Sequence, residues 1–399
     1  LLDFLFLSVF VPLCEITDKM SKIGLGIVGG GTIAQRVLRH LVQPDVAERV
    51  SLTAICDPVA DRARAAAEKF GIAHWFSDYQ ELLACDAVDA VTIASPINFH
   101  FEQVRQALLA SKHVHCNKAM ATTGAEAKEL TRLARDHNLR LVPSPGEMLR
   151  PHNQYIKEVI HRGGIGTLCW AVCGAAFGTY HEDERERQGN DVLSNVDPSW
   201  YFRRPGGGPL YDMTVYSLTA LTGVLGSVLR VTALSGTRIK EREFRGKMVT
   251  CDADDNTVML LDFGENLFAF VYGTASGKIT QGFTGSYFGT RGSIIGLTIN
   301  GEPLDYPGAD LARQAAGASG DANLGNQWLL PHINELHRDL PEQHVFEDVM
   351  QLVDWIADGK PSPVTPEHAT HVIDIIEAAY RASSTGQTQV LTTTLEEER

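Results

Sequence analysis

At 399 residues the chain is long for one hydrophobic core, and its 44% hydrophobic and 21% charged composition is that of a folded, two-domain protein, which excludes a disordered or fibrous chain. A formal net charge of -14 argues against any general affinity for nucleic acid or an anionic membrane surface. The seven cysteines, Cys14, Cys56, Cys85, Cys116, Cys169, Cys173 and Cys251, form no CxxC pair; they read as reduced, buried thiols in a cytoplasmic protein, without a disulfide framework or a metal site.

Residues 1–19 stand apart. The run LLDFLFLSVFVPLCEIT is apolar, yet it has no initiating Met, no basic flank and no A-x-A cleavage site, and it is short for a membrane span. Two readings stay open: a leader outside the fold with Met20 as the true start, or an export signal in which Cys14 is a lipid site.

From Lys22 to Ser144 short apolar runs alternate with helical patterns, as in a parallel sheet wrapped by helices. The predicted strands are Ile23 to Val28, Val50 to Cys56, Ala90 to Ala94, His113 to Cys116 and Leu139 to Val142. Arg62 to Phe70, Phe101 to Leu109 and Ala125 to Asp136 have the three- and four-residue apolar spacing of helices.

The first strand runs into GIVGGGTIA, in which Gly29, Gly31 and Ala34 fit G-x-G-x-x-[GA]. The first glycine permits the tight turn and the second lets the backbone approach a pyrophosphate. The small third residue lets the helix pack close to the strand. Thr32 and Ile33 open that helix, whose N-terminal N–H groups and dipole favour phosphate. Asp57 ends the second strand, where a carboxylate can accept the adenosine ribose hydroxyls and repel a 2′-phosphate. NAD is therefore expected over NADP, although Arg62 and Arg64 lie within reach.

After Pro151 the pattern changes. A helix over Asn153 to His161 ends at Gly163-Gly164. The runs Leu168 to Phe177, Thr257 to Phe263, Phe268 to Tyr272, Phe283 to Gly289 and Ser293 to Ile299 predict one antiparallel sheet. The charged run His181 to Glu186 and the Ala/Gly-rich stretch Gly308 to Gly325 read as surface loops. Helices return over Val345 to Ile356 and His368 to Arg381.

Two segments carry candidate chemistry. HVHCNKAMATTG places Lys118 just past a strand, on the edge where open α/β sheets bind ligands. In RRPGGGPLYDMTVYSLTALTG, helical spacing from Asp212 to Leu221 puts Asp212 and Tyr216 on one face. A helix cap and a core tyrosine would also account for that pair.

With these motifs in place, the chain from Met20 onward resembles the Gfo/Idh/MocA oxidoreductases. The resemblance rests on GIVGGGTIA, AICD, IASPINFH, KHVHCNKAMA, the Gly-Gly-Gly then Asp212-x-x-x-Tyr216 segment, and TPEHATHVIDIIEAAYRAS. Where the family has Glu-Lys-Pro this chain has Asn117-Lys118-Ala119, so no proline ring favours a cis bond after the lysine. Where many members have His, this chain has Tyr216.

The resemblance implies a Rossmann domain over 20–148. A substrate-binding and oligomerisation domain over 149–399 would then carry an open-faced, mainly antiparallel sheet that forms a homodimer or homotetramer. It further implies the turn of Ser95, Pro96 and His100 beside the cofactor, and Lys118, Asp212 and Tyr216 as catalytic residues. By position alone, Arg150 at the start of the second domain and Trp200 just before the glycines are candidates to touch substrate, water contact or simple packing being the alternatives. The expected reaction moves a hydride between nicotinamide and a secondary alcohol or ketone of a sugar, sugar derivative or cyclitol. Tyr216 would act as base, Lys118 would lower its pKa, and Asp212 would orient the polyol. Redox-assisted glycoside cleavage and a non-catalytic NAD-binding regulator remain as alternatives.

Overall fold

The computed structural model describes residues 22–176, 187–277, 283–319 and 322–395; the leader and the run His181 to Glu186 lie outside them. Six parallel strands form the first sheet. They are β1 (Ile23–Val28), β2 (Val50–Cys56), β3 (His74–Phe76), β4 (Ala90–Ile93), β5 (His113–Cys116) and β6 (Leu141–Pro143), in the order β3-β2-β1-β4-β5-β6. Helices α1 (Thr32–Leu41), α2 (Ala60–Phe70), α3 (Tyr79–Leu83), α4 (His100–Leu109) and α5 (Gly124–Asp136) connect them. This is the doubly wound order that leaves a ligand crevice where the strand sequence reverses, between β1 and β4. β1 is buried along its whole length, as a strand covered on both faces must be. β3 has three residues, two of them exposed, and is too short to show an alternation by which the sequence could mark it.

Beyond α6 (Pro151–His161) and β7 (Leu168–Ala176), a wide π-helical turn over Leu210–Thr214 leads into α7 (Val215–Leu225). The strands that follow are β8 (Arg230–Gly236), β9 (Glu241–Phe244), β10 (Lys247–Thr250), β11 (Asn256–Asp262), β12 (Phe268–Thr274), β13 (Ser286–Gly289), β14 (Gly292–Ile295), β15 (Thr298–Ile299), β16 (Glu302–Pro303) and β17 (Gln389–Val390). Nine strands make one sheet in the order β16-β15-β14-β13-β7-β12-β11-β8-β17. The sheet is mixed, not purely antiparallel, because β7 and β12 pair in parallel. The single run expected over Ser293 to Ile299 is two strands, broken by a turn at Gly296 with φ +57.

In β8 and β11 exposed and buried residues alternate. The buried face packs Val231, Met259, Leu261 and Val271 against α7 and α11 (Pro366–Thr385). The other face stays open, with Leu234, Leu260, Phe268 and Trp170 exposed. Cys169 is exposed beside Trp170, against the expectation that the thiols are buried. The stretch expected to be a loop over Gly308 to Gly325 contains α8 (Ala309–Ser319) and α9 (Ala322–Gln327). Alanine's high helix propensity outweighs the roughly 1 kcal/mol cost of an interior glycine there.

One helix crosses from the second half of the chain to the first sheet. In α10 (Gln343–Ala357), Val345, Phe346, Val349 and Val353 join the core formed by Ile23, Leu25, Ile27 and Ile55. Phe346 is fully buried and stacks on His40 of α1 and on His337, at 4.6 and 4.5 Å between ring centroids. Truncating such a phenylalanine costs about 3–5 kcal/mol. Its packing fixes the residues just before it, Glu342 and His344, against the ligand edge. Among the described residues no helix is long and apolar enough to cross a membrane.

Candidate active site

The glycine turn forms as its sequence implies. Gly29 takes φ +96, and a Cβ there would lie 3.0 Å from the Ala94 carbonyl. Gly31 caps α1 without any side-chain hydrogen bond, and Thr32 and Ile33 begin the helix behind it. Ala34 is buried in the core at the strand–helix contact. A Cβ on Gly31 would meet only Val196, at 4.0 Å. The space over the helix N-terminus is thus one that only a glycine leaves fully open, and it fits a pyrophosphate held by backbone N–H groups.

Asp57 sits at the end of β2 with 4% exposure. Its carboxylate accepts from Gly30 N at 2.8 Å, from Val59 N at 2.9 Å and from Arg62 Nη1 at 3.1 Å. Arg62 also donates from Nε to the Val192 carbonyl, and Gln35 Nε2 donates to the Leu193 carbonyl. The loop around Val192 therefore lies over the turn, a contribution from far along the chain that no local pattern announces.

Lys118 follows β5. Its backbone N–H donates to Asn117 Oδ1, and the Lys118–Ala119 peptide is cis although residue 119 is not proline. His100 holds this segment against the turn after β4. Its ring contacts the Ala119 carbonyl at 2.7 Å and the Ser95 carbonyl at 2.8 Å, and the residue is 1% exposed. Burial pulls its pKa below the ordinary imidazole value, partly offset by those two carbonyls. Pro96 leads into the short helical turn ahead of α4. His100 thus lies between the Lys118 segment and the turn after β4, and as a neutral imidazole it donates to one of these carbonyls at a time.

On the opposite side the glycine run admits a close crossing: a Cβ on Gly207 would fall 2.3 Å from the Arg203 carbonyl. The π turn follows, a form common at functional sites, and regular α-helix begins only at Val215, later than the spacing predicts. Tyr211 donates its hydroxyl to the Thr122 carbonyl at 2.5 Å, which ties this turn to the Lys118 loop. As a result Lys118 Nζ lies 2.6 Å from both the backbone oxygen and Oδ1 of Asp212, a residue 94 positions away in sequence. Lys118 Nζ also stands 5.4 Å from the centre of the Tyr216 ring.

Tyr216 is 6% exposed and stacks on Phe283 at 4.6 Å. Its Oη is 3.1 Å from Nε2 of His344, which the sequence did not single out. Burial pushes the phenol's pKa well above its ordinary value, and Glu342, Asp212 and Glu147 push it the same way while Arg150 opposes them. This reverses the expected downward tuning by Lys118, whose charge is instead held by Asp212.

Arg150 is buried and paired with Glu147 at 2.9 Å. His152, also buried, has its pKa lowered to about 3 by burial and then by Arg150. Trp200 packs on Tyr201 at 4.1 Å, and Tyr201, Asp212, Met213 and Arg242 line a small cleft of about 40 Å³.

The sequence matches known proteins along most of its described length. Residues 23–144 match the oxidoreductase family with an NAD-binding Rossmann fold, and residues 153–295 match the GFO/IDH/MocA C-terminal domain. The uncharacterized oxidoreductase ORF334 of Rhizobium meliloti is 27% identical over 382 residues, covering 92% of this chain and 98% of that one. D-glucoside 3-dehydrogenase of Escherichia coli is 29% identical over 212 residues, covering 52% of this chain and 55% of its own. An oxidoreductase from Agrobacterium radiobacter, solved with NAD+, L-tartaric acid and magnesium, shares the fold. Its TM-score is 0.66 at 19% identity, covering 93% of this chain and 98% of that one.

Proposed function

This chain belongs to the Gfo/Idh/MocA oxidoreductase family, and from that premise we propose that it moves a hydride between nicotinamide and a secondary alcohol or ketone of a sugar, sugar derivative or cyclitol. The observation that carries the reading is the convergence of Lys118, Asp212 and Tyr216, with Lys118 Nζ 2.6 Å from Asp212 Oδ1 and above the Tyr216 ring. A nicotinamide dinucleotide supplies the hydride acceptor or donor when bound. Gly29, Gly31, Thr32, Ile33 and Ala34 would hold its pyrophosphate, Asp57 its adenosine ribose, and the turn carrying Ser95 and Pro96 the inner half of the cleft.

Lys118 donates to the substrate oxygen and Asp212 accepts from a neighbouring hydroxyl, so the pair orients a polyol before any proton moves. Tyr216 keeps its proton at neutral pH, which suits it to donate to a forming alkoxide during ketone reduction. His100 acts by positioning the Lys118 segment. Arg150 sets the field around Tyr216 from its buried pair with Glu147, and Trp200 backs the substrate cleft through Tyr201.

We assign NAD as the preferred cofactor, because Asp57 already accepts three donors and its charge would oppose a 2′-phosphate; Arg62, beside it, is the residue that narrows this preference. The open sheet face with Leu234, Leu260 and Phe268 is the surface for a homodimer or homotetramer. A spectrophotometric screen of sugars, polyols and inositols with NAD and NADP tests the reading, with net accumulation of reduced cofactor expected. Absence of reduced cofactor with every class would overturn it. Glycoside cleavage without net reduction would point instead to a redox-assisted hydrolase.

A further inference from the structure

The partner of Tyr216 has its two ring nitrogens sorted by a third residue. One side-chain atom of Gln327 faces both His344 Nδ1, at 3.2 Å, and the His344 backbone N–H, at 3.3 Å. A backbone N–H can only donate, so that atom is the Gln327 oxygen, and Nδ1 must carry the hydrogen it shares with the same oxygen. In a neutral imidazole Nε2 is then bare. Nε2 is the atom 3.1 Å from Tyr216 Oη, so the phenol donates and the imidazole accepts.

We propose that His344 is the proton acceptor behind Tyr216, a positioning and relay residue with Glu342 as its counter-charge; the inference rests on the reading of Tyr216 given above. In alcohol oxidation the substrate C–H bond breaks and its hydride, with both electrons, leaves to an oxidised nicotinamide. The substrate O–H bond breaks as its proton passes to Tyr216 Oη, while the proton already on Tyr216 crosses to His344 Nε2. A carbonyl forms, the tyrosine ends neutral as it began, and the released proton rests on an imidazolium. Ketone reduction is the same sequence reversed. Tyrosinate is never required, which removes the obstacle that a buried phenol beside three carboxylates would otherwise present.

The surroundings suit this role. Glu342 Oε2 lies 3.6 Å from His344 Nε2, and Arg36 of α1 holds Glu342 Oε1 at 2.7 Å. Burial disfavours the Glu342 carboxylate, yet His344, Arg36 and Lys118 together hold its pKa below the ordinary range, so it stays charged. Glu342 also sits at φ +64, a left-handed conformation that non-glycine residues adopt rarely and that clusters at functional sites. The groups facing His344 are Glu342 beside it, Tyr216 from α7, Arg150 ahead of α6, Lys118 after β5 and His40 from α1. Burial lowers its pKa to about 4; Arg150, Lys118 and His40 lower it as well, and Glu342 opposes them. The imidazole is therefore neutral across neutral pH, which leaves Nε2 able to accept the Tyr216 hydrogen bond.

Two measurements on the full-length protein test the proposal. In ¹⁵N-histidine-labelled protein at pH 7, His344 should show protonated Nδ1 and bare Nε2, and Tyr216→Phe should shift the Nε2 resonance. An Nε2–H tautomer, or no response to Tyr216→Phe, would overturn the relay, and this readout needs no substrate. With a substrate from the screen, the proton inventory in mixed H₂O and D₂O should be bowed, because two protons move together. His344→Gln should make it linear and lower turnover on the order of 10²-fold, the low end for general acid–base catalysis. Glu342→Gln, a milder change, should move the acid limb of the oxidation profile to lower pH, since the imidazolium loses its counter-charge. Unchanged turnover with a bowed inventory in His344→Gln would refute the inference while leaving the oxidoreductase reading intact. If no substrate is turned over, that reading fails and the tautomer alone decides this one.

Discussion

The glycine turn and the proton-handling cluster are built in opposite ways. The turn is contiguous, Gly29 to Ala34, and works through backbone N–H groups and the absence of side chains. The cluster gathers side chains from the end of β5, a π turn, the first turn of α7 and the start of α10; Tyr216 and His344 stand 128 positions apart. A backbone-built site depends on space, so one added methyl group can disable it while the fold stays intact. A side-chain-built site depends on the frame that brings distant residues together, and within it burial sets the protonation states. Arg36 joins the two, since it lies on the helix that the turn begins and holds Glu342 in the cluster.

Substitutions in each half should therefore fail differently. The largest effect is expected from Tyr216→Phe, which removes only a hydroxyl. Turnover should fall by about 10²–10⁴-fold, while cofactor affinity measured by fluorescence or calorimetry stays unchanged. A fall of less than about twofold would take proton handling away from Tyr216. Gly31→Val should do the reverse. Its side chain enters open space, so the melting temperature should hold, but dinucleotide affinity should drop by about tenfold or more, equivalent to about 1.4 kcal/mol. A melting temperature that collapses would show that the glycine serves folding and not the ligand. The smallest change is expected from Asp57→Ser. This removes a charge that Arg62 already balances in part, so the preference for NAD over NADP should narrow by a few-fold and reverse only if Arg62 turns to the 2′-phosphate. Equal use of both cofactors by the unsubstituted protein would sink the preference itself.

The sequence by itself determined the parallel sheet and the glycine turn. Both are local: an apolar strand, a φ-positive glycine and an amphipathic helix are written in adjacent residues, and β1, β2 and β5 fall where the pattern places them. It also marked Lys118, Asp212 and Tyr216 as candidates. It could not mark β3, too short and exposed to show a period, and it misread residues 308–325 because glycine and alanine together look like a loop until packing favours helix. Only the tertiary structure decided the surroundings of Tyr216. Burial, with Glu342, Asp212 and Glu147 converging from separate elements, pushes its pKa upward, the opposite direction to the expectation based on Lys118 alone. The structure alone also brought in His344. Pro341-Glu342-Gln343-His344 reads as an ordinary helix start, and what makes it part of the site is Phe346, one turn on from Glu342, packed against His40 and His337. Local propensity fixes elements, but a pKa or a proton path belongs to side chains that meet only after those elements pack.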